Sequence, residues 1–432
     1  MASSVVVVGG GLAGLVCARR LAERGIDVTV YEREEEVGGR VRSREVEGFT
    51  LDRGFQVLFT AYPTASRELD FDALDLRTFT PGACLARSGE RSILSDPVRD
   101  PGALVQSALN REVGIKDKLG TLSLRSELQE ENLSRIFDGE DSSIEEYLTE
   151  RGFSRKFLSN FVAPFYGGIT LDRTLGTSAS VFEYTFAMLS AGEIAVPAAG
   201  MGAIPEQLAS RAREAGATIE LDREVTSVDP DGPSVTVGTE TVEADAVVVA
   251  TNPKAARDLT GVAAIPTAGQ ACVTQWYKLP GEVPFDAGKR LILNCEDDRP
   301  NQVVPHSTVA PEYSVPGMTL LSATFLGEQS RSDVELAAET RAALSSWYPE
   351  RSFTTLSILA TDRIDFAQFA QPPGFYDTLP DVRSPEGPVY LAGDYTQWSS
   401  IEGAMESGVL AARAVGDDLP AEPSPEATPE TA

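Results

Sequence analysis

The sequence predicts an α/β fold, a parallel sheet wound with helices, into which a second, α+β unit is inserted. Three observations carry that prediction. The apolar run Val5-Val6-Val7-Val8 leads directly into Gly9-Gly10-Gly11-Leu12-Ala13-Gly14, a G-x-G-x-x-G turn. A helical stretch over about residues 12–24 follows and stops at Gly25, where a helix C-cap belongs. A second strand, residues 28–31, then closes on Glu32, about 20 residues after the turn. A Rossmann-type nucleotide site requires this order: Gly9 for the tight turn, Gly11 for approach of a pyrophosphate to the backbone, Gly14 for helix–strand packing, and a carboxylate for a ribose hydroxyl. The helix start at Leu12 and Ala13 turns free N–H groups and a positive dipole end toward the phosphates.

Residues 62–195 read mainly as helix, with an amphipathic stretch at 144–151 and aromatics concentrated between Phe153 and Phe186. Gly200, Gly202 and Pro205 introduce a helix over 206–215, followed by a strand at 218–220, a hairpin around Asp231-Gly232 and a buried strand at 246–250. Alternating runs at 291–294 and 319–325 and a helix near 334–347 fill the next stretch. A strand at 389–392 and a helix over about 402–415 complete the folded part. The nucleotide-binding elements therefore arrive in three pieces, 1–61, 196–265 and 384–416. Substrate-domain pieces 62–195 and 266–383 lie between them. The acidic tail 417–432, rich in Pro, Glu, Ala and Thr, is expected to be disordered. A chain of 432 residues is long for one core, which agrees with two intertwined domains.

Composition bounds the function. Lys+Arg total 37 against 65 Asp+Glu, a net charge of −28, and the acids are scattered along the chain. This reads as the solvated acidic surface of a cytoplasmic protein from a salt-loving (halophilic) organism, and it disfavours nucleic acid, whose phosphates would be repelled. Cys17, Cys84, Cys272 and Cys295 form no C-x-x-C, so no metal site, redox dithiol or disulfide framework is expected. Cys17 lies within the first helix and reads as a small buried hydrophobe. No apolar run approaches the roughly 18–20 residues that span a bilayer. No basic, apolar leader precedes the first strand, and a cytoplasmic location is expected. His306, the single histidine, reads as a structural residue in a loop rather than an acid–base group.

The glycine turn alone suits NAD as well as FAD. The next motif separates them: Val37-Gly38-Gly39-Arg40-Val41-Arg42 sets paired glycines and two arginines where a second approach to a pyrophosphate belongs. With Glu32 it resembles the E-x(5)-G-G-R-V-R signature of the flavin amine oxidase and carotenoid desaturase superfamily. Asp52-Arg53-Gly54-Phe55-Gln56 is similar to that superfamily's D-x-G stretch, which passes close to the flavin. Gly200-Met201-Gly202-Ala203-Ile204-Pro205 resembles the opening of its middle FAD-binding piece, Glu224-Val225 its adenine-contacting strand, and Ala246-Val247-Val248-Val249-Ala250-Thr251 its last buried strand. Leu391-Ala392-Gly393-Asp394-Tyr395-Thr396, with Ser400-Ile401-Glu402-Gly403-Ala404 and Ser407-Gly408, most resembles the C-terminal FAD motif of plant-type phytoene and carotene desaturases. The resemblance implies a GR2-like FAD-binding domain holding FAD non-covalently. Its contacts would come from Gly9, Gly11, Leu12, Ala13, Gly14, Glu32, Arg33, Gly39, Arg40, Arg42, Gly54, Phe55, Gln56, Val225, Gly393, Asp394 and Ile401. It places Asp394 on the ribityl chain and the Ile401 N–H at the flavin C2 carbonyl, where a helix N-terminus stabilises the negative charge of a reduced ring.

Departures from the family pattern narrow the chemistry. The amine oxidases hold a substrate amine between two aromatic rings, and at one of those positions this sequence has Ser400. Lys278, the candidate for a lysine beside flavin N5, reads as a surface residue. No cysteine follows Cys295, so late covalent flavin attachment is not expected. A second G-x-G-x-x-G is absent, which argues against an NAD(P)H site. The apolar segment 157–169 suits either core packing or a lipophilic tunnel. The expectation is an FAD-dependent oxidoreductase that desaturates a small apolar, carotenoid- or isoprenoid-like substrate by hydride transfer to flavin N5. Its electrons would pass to a quinone or oxygen, with peripheral membrane contact. No residue stands out as an obligatory catalytic base. Four alternatives stay open: an amine oxidase, a protoporphyrinogen oxidase, an FAD-dependent polyene isomerase, and a non-catalytic escort-type binding protein. Intact Glu32, Arg40 and Asp394 weigh against the last.

Overall fold

The computed structural model describes residues 3–95, 99–100, 110, 112–130, 133–281, 285–297 and 299–419. The chain divides into two compact units, one of residues 1–39, 205–266 and 379–432, the other of residues 40–204 and 267–378. The first boundary thus falls at Gly39, earlier than the expected residue 61. The strands Ser43–Val46 and Phe49–Asp52 form an antiparallel hairpin within the second unit, with Phe49 and Leu51 buried.

In the first unit, five strands form a parallel sheet in the order Thr218–Glu220, Asp27–Tyr31, Ser4–Val8, Ala246–Val249, Val389–Leu391. The two central runs are almost wholly apolar because both faces of the sheet are covered: Val5 to Val8 and Ala246 to Val249 are all buried. Helix Leu12–Ala22 packs its alanines, Cys17 and Leu21 into this core together with Ala411, Ala412 and Val415 of helix Ile401–Asp418. The two helices cross closely at Gly408, where a Cβ would lie 2.4 Å from the Ala13 carbonyl oxygen. The hairpin around Asp231-Gly232 joins Val225–Asp229 to Ser234–Val237. The last helix runs to Asp418, two residues into the expected tail. Residues 420–432, on which the rest of that expectation falls, lie outside the described residues.

The second unit is built on a seven-stranded mixed sheet. Its order is Ser357–Phe369, Gly269–Pro280, Met318–Leu326, Gln302–Pro305, Leu291–Asn294, Ala83–Arg87, Glu90–Leu94. On one face Val273, Tyr277, Val303, Leu321, Ala323 and Phe325 meet Leu336, Ala337, Leu344 and Trp347 of helix Asp333–Trp347. Among the described residues, 62–195 is mainly helical as expected, but it also contains the strands Leu76–Thr78, Ala83–Arg87, Glu90–Leu94 and the first part of Ile194–Pro197. Ala83 to Ala86 are all buried and so show no alternation, and their parallel partner Leu291–Asn294 is remote in sequence. Periodicity cannot identify such a strand.

Candidate cofactor and substrate site

At the carboxyl edge of the parallel sheet, four strand ends stand side by side and release Glu32, Gly9, Ala250 and Ala392-Gly393-Asp394. Backbone bonds fix that order: Gly9 N–H donates to Tyr31 O at 2.8 Å, Ala250 N–H to Val8 O at 2.8 Å, and Ala392 N–H to Val249 O at 2.9 Å. Ligands of open parallel sheets bind outside this edge. Gly9 has φ 109° and Gly14 sits so tightly that a Cβ would meet the Gly9 carbonyl oxygen at 2.1 Å, so both glycines are demanded by the protein itself. Gly11 differs. Its backbone is extended and a Cβ would meet nothing within 4 Å. The space beside Gly11 is open at the start of a helix whose Leu12 and Ala13 N–H groups lie in its first turn, and it fits a pyrophosphate.

Glu32 is buried, and its carboxylate shapes the loop: Oε2 accepts from Gly10 N–H at 2.6 Å and Oε1 from Glu34 N–H at 3.1 Å. Each oxygen keeps a lone pair for a ribose hydroxyl. Gly38 N–H donates to Gly10 O at 2.8 Å, and Gly39, at φ 61°, would bring a Cβ to 3.6 Å from Gly11 Cα, so the second glycine motif lies directly on the first. Arg33 is exposed and paired with Glu34 at 3.0 Å. Val225 opens the hairpin strand and is half-buried.

At the last strand, the Gly393 N–H donates to Ser407 Oγ at 2.8 Å, and Ser407 Oγ bonds Thr396 Oγ1 at 2.6 Å. A Cβ on Gly393 would strike the Tyr395 ring at 2.2 Å. Asp394 is buried, with Oδ2 accepting from Ser399 Oγ at 2.7 Å. Ile401 opens the 18-residue final helix, capped by Ser400, whose Oγ accepts from Gly403 N–H at 2.7 Å. The position that departs from the amine oxidase cage therefore serves as an N-cap. Thr396, Ser400 and Ser407 lie within the C-terminal motif but their hydrogen bonds, and the part played by Ser399, are not legible in the sequence.

Arg40, Arg42, Gly54, Phe55 and Gln56 belong to the second unit. Arg40 Nη1 donates to Ala367 O at 3.2 Å, and the Arg42 carbonyl accepts from Arg53 N–H at 2.8 Å. Gln56 Nε2 donates to the Arg40 and Arg53 carbonyls at 2.9 and 3.0 Å, clamping the segment. Gly54 takes φ 77° and packs under Ile364. Phe55 meets His306 edge-on, with ring centroids 5.7 Å apart. Beneath them Asp52 is fully buried. Its Oδ1 accepts from Ser43 Oγ at 2.6 Å and Met201 N–H at 2.8 Å, its Oδ2 from Tyr313 O–H at 3.2 Å, and burial pushes its carboxyl up to about 6.

His306 lies not in a loop but at the start of the one-turn helix His306–Val309, buried against Trp276 and Tyr313 with Nε2 2.8 Å from Ser322 Oγ. Burial holds its pKa down at about 3, so it stays neutral, as a structural histidine does. Lys278 is ion-paired with Glu47. Cys17 is fully buried, and burial pushes its thiol up to about 12. Phe153, Phe157, Phe161 and Phe165 stack at successive centroid distances of 5.2, 5.6 and 5.3 Å, and Tyr166 packs on Phe182 at 4.6 Å.

A doubly wound parallel sheet with this carboxyl-edge constellation defines a Rossmann-type dinucleotide-binding protein. The chain belongs to the flavin containing amine oxidoreductase family, whose model matches residues 12–416. It is 30% identical over 281 residues to a phytoene dehydrogenase of Streptomyces griseus, covering 57% of this chain and 53% of that protein. It is 29% identical over 283 residues to a zeta-carotene-forming phytoene desaturase of Myxococcus xanthus, covering 56% and 52%. The chain thus spans about half the length of these relatives. Its fold is that of an oxidoreductase from Methanosarcina mazei, with TM-score 0.72 and 19% identity over 96% of this chain and 100% of the other. Among the described residues, no helix is long and apolar enough to cross a membrane.

Proposed function

We propose that the protein is an FAD-dependent oxidoreductase that dehydrogenates an apolar, isoprenoid-like substrate. The observation that carries this reading is the carboxyl edge of the parallel sheet, where open space at Gly11, buried Glu32, buried Asp394 and the Ile401 helix start share one ligand-facing rim. These groups suit the pyrophosphate, the adenosine ribose, the ribityl chain and the ring's C2 carbonyl, in that order. When bound, FAD supplies the two-electron acceptor for a C–H bond. The protein's part is to bind, orient and tune, with no acid–base residue required, and the electrons leave to a quinone or oxygen. The phytoene-desaturating relatives support a hydrocarbon substrate. Ser400, engaged as a helix cap where the amine oxidases present a ring, favours it over an amine. Anaerobic mixing of the yellow holoprotein with phytoene is expected to bleach the flavin absorbance. Bleaching by amines alone would overturn the substrate class.

Contact with a lipid surface belongs to the same proposal. Helix Ile115–Glu130 leaves Ile115, Leu119 and Leu122 exposed at i, i+4 and i+7, on one face. In a chain so poor in lysine, Lys116 on this helix and Arg155 and Lys156 are exposed, which suits anionic headgroups. Liposomes containing anionic lipid are expected to float the protein, and Leu119→Ser to reduce the floated fraction. Recovery of all the wild-type protein below the lipid layer would sink this contact.

A further inference from the structure

Gly393 stands at the end of the last strand of the parallel sheet, one residue before Asp394. A Cβ there would strike the Tyr395 ring at 2.2 Å, so only glycine fits, and glycine is the loosest hinge a chain offers. Hydrogen bonds remove that freedom. Gly393 N–H donates to Ser407 Oγ at 2.8 Å, and the Gly393 carbonyl accepts from Thr396 N–H at 3.0 Å and Thr396 Oγ1 at 3.2 Å. With the Thr396 hydroxyl proton on that carbonyl, Ser407 donates to Thr396 Oγ1 at 2.6 Å. The bonds close a ring: Gly393 N–H to Ser407, Ser407 to Thr396, Thr396 to the Gly393 carbonyl. Ser407 and Thr396 are both buried, which makes each bond of the ring costly to lose.

Helix formation does not ask for Ser407. It lies inside helix Ile401–Asp418, where alanine has the better propensity and brings no polar atom to bury. Its hydrogen bonds go out to the strand end and not to the preceding turn of its own helix. The next residue, Gly408, is where the same helix meets the Ala13 carbonyl of helix Leu12–Ala22, with no room for a Cβ. Two adjacent residues therefore tie one helix to both ends of the site: the glycine turn that suits a pyrophosphate, and the turn that carries Asp394. Holding the N–H and the carbonyl of Gly393 fixes both peptide planes that flank it, and the second leads directly into Asp394. Ser399 then holds the Asp394 carboxylate itself, at 2.7 Å.

We propose that Ser407 and Thr396 are positioning residues, which immobilise Gly393 so that the Asp394 carboxylate meets the ribityl chain at a set distance from the pyrophosphate site. Both act through Asp394. The inference rests on reading Asp394 as the ribityl-binding group, and it adds what keeps that carboxylate in place. Gly11 and Glu32 take no part in the ring. Loss of the ring therefore weakens the flavin half of the site and spares the half that an ADP moiety would occupy.

The test titrates FAD and, separately, ADP into the deflavinated full chain by calorimetry. Ser407→Ala and Thr396→Val are each expected to lower FAD affinity about tenfold while changing ADP affinity by less than about twofold. Thr396→Ser keeps the hydroxyl and should bring FAD affinity back to within about threefold of the wild type. In an Asp394→Ala background, Ser407→Ala should cost no further FAD affinity, because the carboxylate it positions is gone. Equal losses for FAD and ADP would show that the ring serves the fold alone. Unchanged FAD affinity in both single variants, or an undiminished Ser407→Ala loss without Asp394, would likewise overturn the positioning role. Should Ser407→Ala fail to fold, the contrast between Thr396→Val and Thr396→Ser carries the same test. Wild-type protein that binds FAD no more tightly than ADP would remove the ribityl reading of Asp394 and the positioning role with it, a failure visible before any variant is made.

Discussion

Gly11→Val is expected to yield a folded but colourless protein. The glycine's backbone is extended, a conformation open to any residue, and a side chain there meets no protein atom within 4 Å. The fold therefore has no need of glycine at this position, and the variant should match the wild-type apoprotein in thermal melting. A pyrophosphate lying against that backbone does need it, because branched carbons would occupy its space. Loss of FAD affinity by at least about 100-fold is expected, close to 3 kcal/mol. Gly14→Val is the contrasting case. Its side chain would begin 2.1 Å from a backbone oxygen that cannot move without displacing the Gly9 turn, so that variant should lose about 3 kcal/mol of stability, with or without cofactor. Yellow Gly11→Val protein, or a Gly11→Val apoprotein that melts early, would show that the glycine serves the fold and that the phosphate site lies elsewhere.

That contrast also marks how far the amino-acid sequence could be read. The strand–turn–helix unit was legible because every constraint on it is local: a valine run, three glycines with distinct duties, and Glu32 reaching back to Gly10. Strand Ala83–Arg87 was not, since its parallel partner comes some two hundred residues later and all four of its first residues are buried. The motif stretches mark segments of the chain but not the connections between them. The sequence places Arg40 where a phosphate belongs, and in the structure Arg40 Nη1 donates to the carbonyl of Ala367. In the sequence Ser400 marks only a missing ring, and its role as a helix cap shows in the structure. Asp52 belongs to the same class: its motif was visible, but Tyr313 and Met201, which enclose it, are distant in sequence.

Asp52→Asn is expected to stabilise the protein above pH 6 and leave it unchanged near pH 4. Burial raises the folded-state pKa from 3.8 to about 6, against the opposing hydrogen bonds from Ser43, Met201 and Tyr313. A carboxyl with a raised pKa favours the folded state only while protonated. Its contribution is complete below about 3.8 and fades as pH rises through about 6. Above that the wild type carries a buried charge at a cost of up to about 3 kcal/mol. Asparagine fits the same cradle: its Oδ1 accepts from Ser43 and Met201, and its amide nitrogen donates to the Tyr313 oxygen. Tyr313 then has to redirect its own hydroxyl proton, which returns part of the gain, so a net increase of about 1–3 kcal/mol is expected at pH 8. Urea unfolding of both proteins from pH 4 to pH 8 measures the effect. The wild-type midpoint should fall relative to that of the variant across the window between 4 and 6, and the difference should then stay constant. A variant less stable than the wild type at pH 8 would mean that the three donors favour the ionised Asp52 by more than burial disfavours it.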